Sequence, residues 1–336
     1  MSFGKSISSK FKYIVNDINY LIALKTRPST VNHYFAIDNL ELTNKCPMKC
    51  TMCVRTHRMT RPQGFMEMDI FKKIIDEIVM INPPFIYHDG FWLHHFGESL
   101  LHPNFDKMIK YCSSRGIKAK LSLNPLMLTE DISRRLINAE PSLLFFAMDG
   151  HDDESFYKIR GIPKAFNKSK DNVIRFLKLK KSSSSNVRVV ISMINFTKNM
   201  QSIKEMYSFW KQQEGIEDVH LKPFTDWNGE VREITNMTGS DVNGVAAINK
   251  NQKTKGPVEC RIPWQMISIT WDGDVVPCCY DYDKKYVLGN VKNNTLQQIW
   301  NGDRIKDLRN ELRSNIVENE LCRSCLHLSS LSSRLE

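Results

Sequence analysis

Three cysteines near the start of the chain constrain its fold more than any other feature. Cys46, Cys50 and Cys53 follow one another in the spacing C-x3-C-x2-C, within the segment TNKCPMKCTMC. Thiolates this close in sequence usually share a metal, and closed zinc or iron–sulfur sites have four protein ligands. Three thiolates leave one position open, which is how a metal site accepts a substrate or cofactor. The segment predicts such an open centre, with a zinc site completed by His57 as the alternative.

The remaining cysteines and the composition indicate the class of protein. Clustered cysteines without a signal peptide are typical of metal sites in a reducing compartment, so we expect a cytoplasmic protein. The other six are Cys112, Cys260, Cys278, Cys279, Cys322 and Cys325. The chain is 41% apolar and 25% charged, which is the composition of an ordinary globular protein. Its length of 336 residues predicts one large and one smaller domain. No apolar run is long enough to predict a transmembrane segment.

The charge and the N-terminal segment bear on partners. A net charge of +10 suits an anionic partner such as nucleic acid, a nucleotide-linked substrate or a membrane surface. The basic residues are spread along the chain, which favours an ordinary basic surface.

The first 35 residues carry apolar side chains on one helical face. These are Ile7, Phe11, Ile14, Val15, Ile18, Leu21 and Ile22. We expect a helix packed on the outside of the domain, with peripheral membrane contact as the alternative.

From residue 36 to 225, short apolar runs alternate with helical patterns, which is typical of βα units. The predicted strands lie at 36–42, within 85–97, and at 117–123, 143–149, 187–194 and 218–224. The predicted helices lie at 66–81, 104–115, 129–138, 153–160, 165–180 and 200–213. Six parallel βα units predict an α/β fold, a partial (β/α)6 TIM-like barrel, whose active site lies on the loops after the strands.

The last third of the chain has a different pattern. Residues 226–258 are polar and predict a linker or insert. The segment MISITWDGDVVPCC predicts a β-hairpin turning at Asp272-Gly273, and Leu296–Leu312 predicts a helix. The predicted parts are an N-terminal helical extension (1–35), the barrel (36–225), the linker (226–258) and a small cysteine-rich β-hairpin/helix domain (259–330).

Several segments together resemble one known family. LELTNKCPMKCTMC is similar to the cluster loop of radical S-adenosylmethionine (SAM) enzymes, in which three cysteines hold a 4Fe–4S cluster and SAM chelates the fourth iron. Phe96-Gly97-Glu98-Ser99 resembles that family's Gly-Gly-Glu-Pro motif, although its first Gly and its Pro are replaced here. LSLNP (121–125) and MDGHDDESFYKIRG (148–161) resemble the next two SAM-binding segments.

The resemblance implies a set of SAM contacts. In the family, the glutamate of the second-strand motif binds the SAM amino group, and an arginine approaches the SAM carboxylate. Glu98 and Arg160 have the matching charges for these two groups. The implied SAM-binding residues are Gly97, Glu98, Ser122, Asn124 and Arg160.

A second resemblance concerns the C-terminal cysteines. The auxiliary-cluster domain of the same superfamily has a similar cysteine pattern; it is called SPASM with two clusters and Twitch with one. The pattern here is Cys260, twelve residues, Gly273, four residues, Cys278 and then Cys322-x2-Cys325. It implies one auxiliary 4Fe–4S cluster held by these four cysteines, with a zinc ribbon as the alternative. Four thiolates close a cluster, which suits electron transfer. Cys279 is interpreted as a residue that supports the ligands or packs beside them, with replacement of Cys278 as ligand left open, and Cys112 as a small buried apolar side chain.

The implied function is that of a radical SAM oxidoreductase. SAM would be cleaved reductively to a 5′-deoxyadenosyl radical, which takes a hydrogen atom from the substrate, and the auxiliary cluster would assist the oxidation. A flavodoxin- or ferredoxin-type protein would supply the electron. The first substrate candidate is an alcohol of a sugar or aminocyclitol, because 35 N-terminal residues are too few for a leader-peptide domain.

Two other functions remain open. One is a peptide-modifying SPASM maturase that forms a crosslink or an epimer. The other is a non-catalytic metal protein that binds nucleic acid, which the ordered SAM-binding segments disfavour. Side chains expected at the substrate are Asp226 and Trp227, just past the last barrel strand, and His95 on the second strand.

Overall fold

The computed structural model describes residues 3–81, 89–194, 200–222, 227, 231, 260–323 and 325, with the side chains of the first helix described from residue 13. The chain divides into two compact units, which are described separately. Unit 1 contains Met1–Leu40, Met66–Phe91 and Asn249–Glu336, and unit 2 contains Glu41–Phe65 and Trp92–Ile248. The sequence-based domain limits remain a prediction, and nearly all of the expected linker (226–258) lies outside the described residues.

The helices and strands alternate as the sequence pattern predicts. The strands are β1 Ala36–Leu40, β2 Phe91–Trp92, β3 Ala119–Leu123, β4 Leu143–Ala147, β5 Arg188–Ile194, β6 Asp218–Lys222, β7 Met266–Ile269, β8 Asp274–Val276 and β9 Gly289–Asn290. The helices are α1 Phe3–Thr26, α2 Val54–His57, α3 Met68–Ile81, α4 Phe105–Ser114, α5 Glu130–Ala139, α6 Asp153–Arg160, α7 Phe166–Ser182, α8 Met200–Lys211, α9 Leu296–Trp300, α10 Asp303–Ser314 and α11 Glu320–Arg323.

Unit 2 is built on four neighbouring parallel strands, β3 to β6. Because side chains alternate along a strand, the sheet has two different faces. One face is aliphatic and aromatic, and on it Phe146 packs edge-on against Phe176 of α7 with ring centres 5.1 Å apart. The other face is mixed and includes Lys120, Phe145 and Lys222. The predicted parallel βα arrangement is therefore confirmed.

The helix ends follow from local capping. Thr129 accepts a hydrogen bond from the Ile132 amide at 3.2 Å and so begins α5, as its position in the sequence predicts. Asp152 and Ser155 form a reciprocal capping box at the start of α6. Gly161 ends α6 with a φ of 72°, a conformation that side chains disfavour.

One local prediction was wrong. The helix predicted over Leu296–Leu312 is interrupted between α9 and α10, because the Asn301 side chain binds a distant segment. Its Nδ2 donates to the Val31 carbonyl at 3.0 Å, and its Oδ1 accepts from the Val31 amide at 3.1 Å. The short helix α2 begins directly after Cys53. The second strand is only β2, and residues 82–88 lie outside the described part.

Unit 1 contains the predicted hairpin. Strands β7 and β8 are antiparallel, and Gly273 in the turn has a φ of 90°. Strand β1 pairs in parallel with β7, and β9 pairs with β8. The buried side chains beside this sheet include Trp264 and Trp300.

The N-terminal helix α1 packs through its polar side. Asn16 accepts from the Tyr34 amide at 2.7 Å, Asn19 donates to the Asn32 carbonyl at 3.1 Å, and the Tyr20 hydroxyl accepts from Gln265 at 2.8 Å. The aliphatic side chains point away and are exposed: Ile14, Val15, Ile18, Leu21 and Ile22. We call these five residues the α1 stripe. Within the described residues, no helix combines the length and apolarity that crossing a membrane requires.

Candidate functional site

The first candidate site surrounds the cysteine loop, residues 43–53, in unit 2. Cys50 is buried, and its thiol interacts electrostatically with those of Cys46 and Cys53, so the three sulfurs lie close together. Burial, with the charge of Glu98, raises the pKa of Cys46 to about 12, and burial also raises the pKa of Cys53. Because metal binding needs thiolates, loading this site would release protons.

The arrangement of the thiols suits a cluster better than one ion. Among the residues that the structure describes, no three His, Cys, Asp or Glu side chains surround a single point at which one metal ion would sit. In an iron–sulfur cluster the thiolates bind different irons, so their sulfurs need only border a common space. The three thiols on this loop supply the soft sulfur donors that iron–sulfur clusters use.

Arg160 reaches the cysteine loop from the end of α6. Its Nη1 donates to the Cys50 sulfur at 3.6 Å, and its Nη2 forms a buried ion pair with Asp149. Burial alone would lower the pKa of Arg160, but the charges of Asp149 and Cys50 raise it, so the guanidinium stays charged. Its Nε is buried without a hydrogen-bond partner in the described part of the chain. The expected contact of Arg160 with this site is thus geometrically available.

Glu98 lies beside the same loop. Its carboxylate is buried and accepts from the Leu100 amide at 3.1 Å and the Asn124 amide at 2.8 Å. Burial raises the pKa of Glu98 to about 7, although both hydrogen bonds and Arg160 oppose that shift. Glu98 also begins the 3-10 turn Ser99–Leu101. A cationic ligand beside Glu98 would therefore favour its ionised form.

Asn124 brings an unused donor into the same site. Its side-chain oxygen accepts from the Leu126 amide at 3.1 Å, while its Nδ2 is buried without a partner among the described residues. A buried donor left unpaired costs free energy, about 1–3 kcal/mol, which a ligand acceptor would recover. Ser122, two residues earlier on β3, donates its amide to His94 Nδ1 at 3.2 Å.

Gly97 is required by a close approach of two backbones. A Cβ atom at Gly97 would lie 1.9 Å from the Thr43 carbonyl oxygen, at the start of the cysteine loop. The next amide, that of Glu98, donates to the Lys45 carbonyl at 2.8 Å. The segment after β2 is therefore pressed against the loop, and a glycine at position 97 permits it.

The end of α6 holds the other half of the loop. Thr51 donates through its amide to the Ile159 carbonyl at 2.9 Å and through its hydroxyl to the Lys158 carbonyl at 2.7 Å. A Cβ atom at Gly161 would lie 2.4 Å from the Lys49 carbonyl oxygen. These backbone contacts place Arg160 against Cys50.

The residues expected to contact substrate have different surroundings. The Trp227 indole donates to the Met52 carbonyl at 3.0 Å, so it supports the cysteine loop, and its ring centre lies 5.2 Å from that of Phe96. The His95 ring packs on Phe96 with centres 4.0 Å apart, and its side chain is only 3% exposed. Asp226 lies outside the described residues. Substrate contact by these three remains a prediction.

Sequence reasoning did not single out Asp149, the ion-pair partner of Arg160. It lies two residues after the end of β4, and its side chain is 1% exposed. A carboxylate at the carboxyl end of a buried parallel strand was the available signal, since such strand ends carry active sites.

The second candidate site is the C-terminal cysteine group in unit 1. The thiols of Cys260, Cys278 and Cys322 interact with one another, and Cys325 interacts with Cys260 and Cys322. Burial raises the pKa of Cys260 to about 11 and that of Cys278 well above its usual value. The Cys325 amide donates to the Cys322 carbonyl at 3.0 Å, which forms the turn between the last two cysteines. The four predicted ligands therefore lie in one group.

Cys279 is a fifth thiol beside this group. Burial raises its pKa to about 12, as do the charge of Asp38 and a hydrogen bond to that carboxylate. Cys279 thus lies beside the predicted ligands and pairs with Asp38, and its role stays a prediction. Cys112 on α4 is fully buried, as expected for a small apolar side chain.

Comparison with known proteins adds family information to this geometry. The model of the radical SAM superfamily matches residues 40–209, about half of the chain. A model described as an iron–sulfur cluster-binding domain, SPASM, matches residues 260–326. These matches contain all seven predicted cluster cysteines.

Curated relatives and solved structures agree with these matches. The chain is 24% identical over 322 residues to the tungsten-containing aldehyde ferredoxin oxidoreductase cofactor-modifying protein of Pyrococcus furiosus, covering 86% of each. It is 29% identical over 82 residues, 24% of the chain and 33% of the relative, to the S-adenosyl-L-methionine-dependent 2-deoxy-scyllo-inosamine dehydrogenase of Niallia circulans. The structure of Streptococcus suis SuiB bound to precursor peptide SuiA matches with a TM-score of 0.63 at 15% identity, over 95% of this chain and 75% of that one.

The structure of BtrN in complex with AdoMet and 2-DOIA also has a similar fold. It matches with a TM-score of 0.53 at 16% identity, over 84% of this chain and 89% of that chain. Together with the parallel strands of unit 2, these fold similarities confirm the predicted class, an α/β chain of the partial TIM-barrel type.

Proposed function

The chain belongs to the radical SAM superfamily, and from this premise we propose that the cysteine loop, Glu98, Asn124 and Arg160 form its SAM-cleaving centre. It is an enzyme whose cofactors are SAM and 4Fe–4S clusters, as predicted. The observation that supports the proposal is that side chains of suitable chemistry lie around one loop. Three thiols of the cysteine loop, the buried carboxylate of Glu98 and the buried guanidinium of Arg160 come from three separate segments and meet at that loop.

Each residue has a defined task in this proposal. Cys46, Cys50 and Cys53 hold the cluster. Glu98 accepts from the SAM ammonium, and Arg160, whose charge is shared with Asp149, faces the SAM carboxylate. Gly97 and Ser122 shape the backbone around the same ligand, and the Asn124 amide donates to it. The cofactors supply the radical chemistry, while the protein binds, orients and excludes water.

The second site is proposed to accept electrons. Cys260, Cys278, Cys322 and Cys325 supply four thiolates, enough to close one cluster against direct substrate binding. A closed cluster suits a net two-electron oxidation of the substrate. A flavodoxin- or ferredoxin-type protein is the proposed electron donor, and a reducing cytoplasm is the proposed location, because every cluster ligand is a free thiol.

The proposed reaction is the oxidation of an alcohol carbon in a small hydroxylated molecule such as a sugar or aminocyclitol. The similarity to the 2-deoxy-scyllo-inosamine dehydrogenase supports this substrate class. Modification of a peptide is the second candidate, supported by the fold similarity to peptide-bound SuiB.

Deuterium transfer tests the reaction directly. The anaerobically reconstituted enzyme, supplied with SAM and a reductant, is incubated with sugars and peptides that are deuterated at the reactive carbons. Deuterium is expected in 5′-deoxyadenosine with members of one panel, as measured by mass spectrometry. A protein that contains only zinc after reconstitution, and forms no 5′-deoxyadenosine, would refute the proposal.

The α1 stripe is proposed to contact an anionic membrane surface. Its five aliphatic residues span an arc wider than the narrow seam of a two-helix coiled coil. Helix α1 contains four lysines and a single acidic residue, Asp17. Two copies of so basic a helix would repel each other, whereas anionic lipid headgroups would attract them.

Vesicle sedimentation shows whether the α1 stripe binds a membrane or a second copy of the chain. The full chain is expected to bind vesicles that contain phosphatidylglycerol and to leave pure phosphatidylcholine vesicles unbound. Replacing Ile18 and Leu21 with Glu should weaken binding about a hundredfold, because two large apolar side chains no longer enter the membrane. The control is Ile316→Glu, at a residue 64% exposed elsewhere in unit 1. The proposal would be contradicted if the wild-type chain forms a dimer and binds no vesicles, while the double variant is a monomer.

A further inference from the structure

Arg27, the residue that follows helix α1, reaches the C-terminal cysteine group within unit 1. Its Nη2 donates to the carbonyl oxygens of Cys260 and Leu312, at 3.3 Å in each case. Its guanidinium carbon lies 4.9 Å from the centre of the ring of Trp264, which is fully buried. Arg27 therefore connects the N-terminal segment to the first of the four predicted ligands of the auxiliary cluster.

The segment after Arg27 is held by side chains that lie beside the cysteine group in sequence. The Trp264 indole donates to the Pro28 carbonyl at 2.7 Å, and the Arg309 guanidinium donates to the Ser29 carbonyl at 3.0 Å. Both donors are fully buried. These hydrogen bonds fix the backbone on the C-terminal side of Arg27, so the position of its side chain is determined by the fold.

The backbone of Arg27 has an uncommon conformation. Its φ is 50°, in the left-handed region where glycine or asparagine usually ends a helix. Its amide donates to the Ala23 carbonyl at 2.8 Å, which extends the hydrogen bonding of α1 by one residue. A glycine at this position would relieve the strain but would lose the guanidinium. The strained conformation indicates that the side chain has a task that glycine could not perform.

Arg27 brings positive charge to the cysteine group. Burial raises the pKa of the Cys260 thiol, and the charge of Arg27 opposes that shift. A carboxylate acts in the opposite direction, because Glu311 interacts electrostatically with Cys322. A guanidinium does not deprotonate in proteins, so the charge of Arg27 is permanent.

A permanent cation favours the reduced form of an iron–sulfur cluster. The four thiols of this group suit a closed 4Fe–4S cluster, as proposed above. A cluster with four thiolate ligands carries net negative charge, and an added electron makes it more negative. A cation beside one ligand stabilises the more negative state, and it therefore raises the reduction potential.

We infer that Arg27, through its contact with Cys260, raises the reduction potential of the auxiliary cluster and so favours electron transfer from the substrate. This inference rests on the proposed function, because it concerns the proposed electron acceptor. In the proposed oxidation, the alcohol carbon gives a hydrogen atom to the 5′-deoxyadenosyl radical. The substrate then gives its hydroxyl proton to water and one electron to the auxiliary cluster, and a carbonyl group remains. Arg27 is a positioning residue, since it acts through a ligand and contacts no substrate.

A redox titration followed by electron paramagnetic resonance tests the inference on the anaerobically reconstituted full chain. SAM changes the signal of an open cluster to which it binds, so the signal that SAM leaves unchanged belongs to the auxiliary cluster. Arg27→Gln is expected to lower the midpoint potential of that cluster by about 59 mV, equal to about a tenfold change in the equilibrium constant of a one-electron reduction. One partly screened charge has an effect of about this size.

Three further variants distinguish charge from packing. Arg27→Lys keeps the charge and should stay close to the wild-type potential. Arg27→Met keeps the aliphatic stem on Trp264 and should lower the potential as Arg27→Gln does. Lys25→Gln removes an exposed charge from the last turn of α1 and should leave the potential unchanged. Iron analysis shows whether each variant holds its clusters.

Four results would overturn the inference. They are an unchanged potential in both neutral variants, an equal decrease in Lys25→Gln, an equal decrease in Arg27→Lys, and loss of the auxiliary cluster from both neutral variants. The last would make Arg27 a purely structural residue. The signal that SAM alters tests the proposed function in the same samples. A lower potential in Arg27→Gln without any SAM-dependent signal would refute the SAM site and leave the role of Arg27 standing.

Discussion

Replacing Cys46, Cys50 and Cys53 together with Ala is expected to abolish SAM cleavage and to lower the iron content of the reconstituted enzyme from about eight to about four per chain. The three thiols lie on one loop and interact electrostatically, so their removal takes away every protein ligand of the proposed open cluster. Iron analysis and the yield of 5′-deoxyadenosine measure the two effects.

The matched control changes the other cysteine group. Replacing Cys322 and Cys325 with Ala should remove a similar amount of iron, yet SAM cleavage should continue, because the proposed SAM site keeps all of its ligands. Product formation should stop, since the proposed electron acceptor is lost. Continued SAM cleavage by the triple variant would contradict the assignment of the open cluster to the cysteine loop.

Gly97→Ala is expected to prevent cluster binding at the cysteine loop without removing a cysteine. The added methyl would lie 1.9 Å from the Thr43 carbonyl oxygen, so the backbone at the start of the cysteine loop must shift. Forced overpacking of this kind costs about 3 kcal/mol. The variant should therefore show lower thermal stability, an iron content close to that of the triple Ala variant, and no SAM cleavage.

The control variant Gly215→Ala shows whether Gly97→Ala acts by displacing the cysteine loop or by general destabilisation of unit 2. Gly215 also lies in unit 2 and has a φ of 90°, but its nearest neighbour to an added Cβ is 3.4 Å away. This variant should lose about 1 kcal/mol from backbone strain and keep its iron. Full iron in Gly97→Ala would show that the close contact with Thr43 does not hold the loop in place.

The sequence predicted which residues lie together at the two candidate sites better than it predicted their surroundings. Cysteine spacing and short motifs identify the thiols, Glu98 and Arg160, because metal and SAM chemistry demands particular side chains at fixed separations. The role of Gly97 depends on Thr43, more than fifty residues away in sequence. The partner of Arg160, Asp149, is likewise fixed by tertiary structure.

Tertiary contacts also explain what periodicity alone did not predict. The 3.6-residue pattern of Leu296–Leu312 is genuine, but hydrogen bonds between Asn301 and Val31 interrupt it. Helix α1 has the predicted apolar face, yet periodicity cannot show which side packs. The hydrogen bond that Asn16 accepts from Tyr34 and the one that Asn19 donates to Asn32 turn the aliphatic side outward.

The contacts of the cysteine loop have a consequence for maturation of the enzyme. The loop is held at Lys45 by Glu98, at Thr51 by α6 and at Met52 by Trp227, in each case through backbone groups. Its shape therefore comes from the polypeptide itself, unlike in small zinc domains, where the metal drives folding. We therefore expect the apoprotein to fold before it receives its cluster.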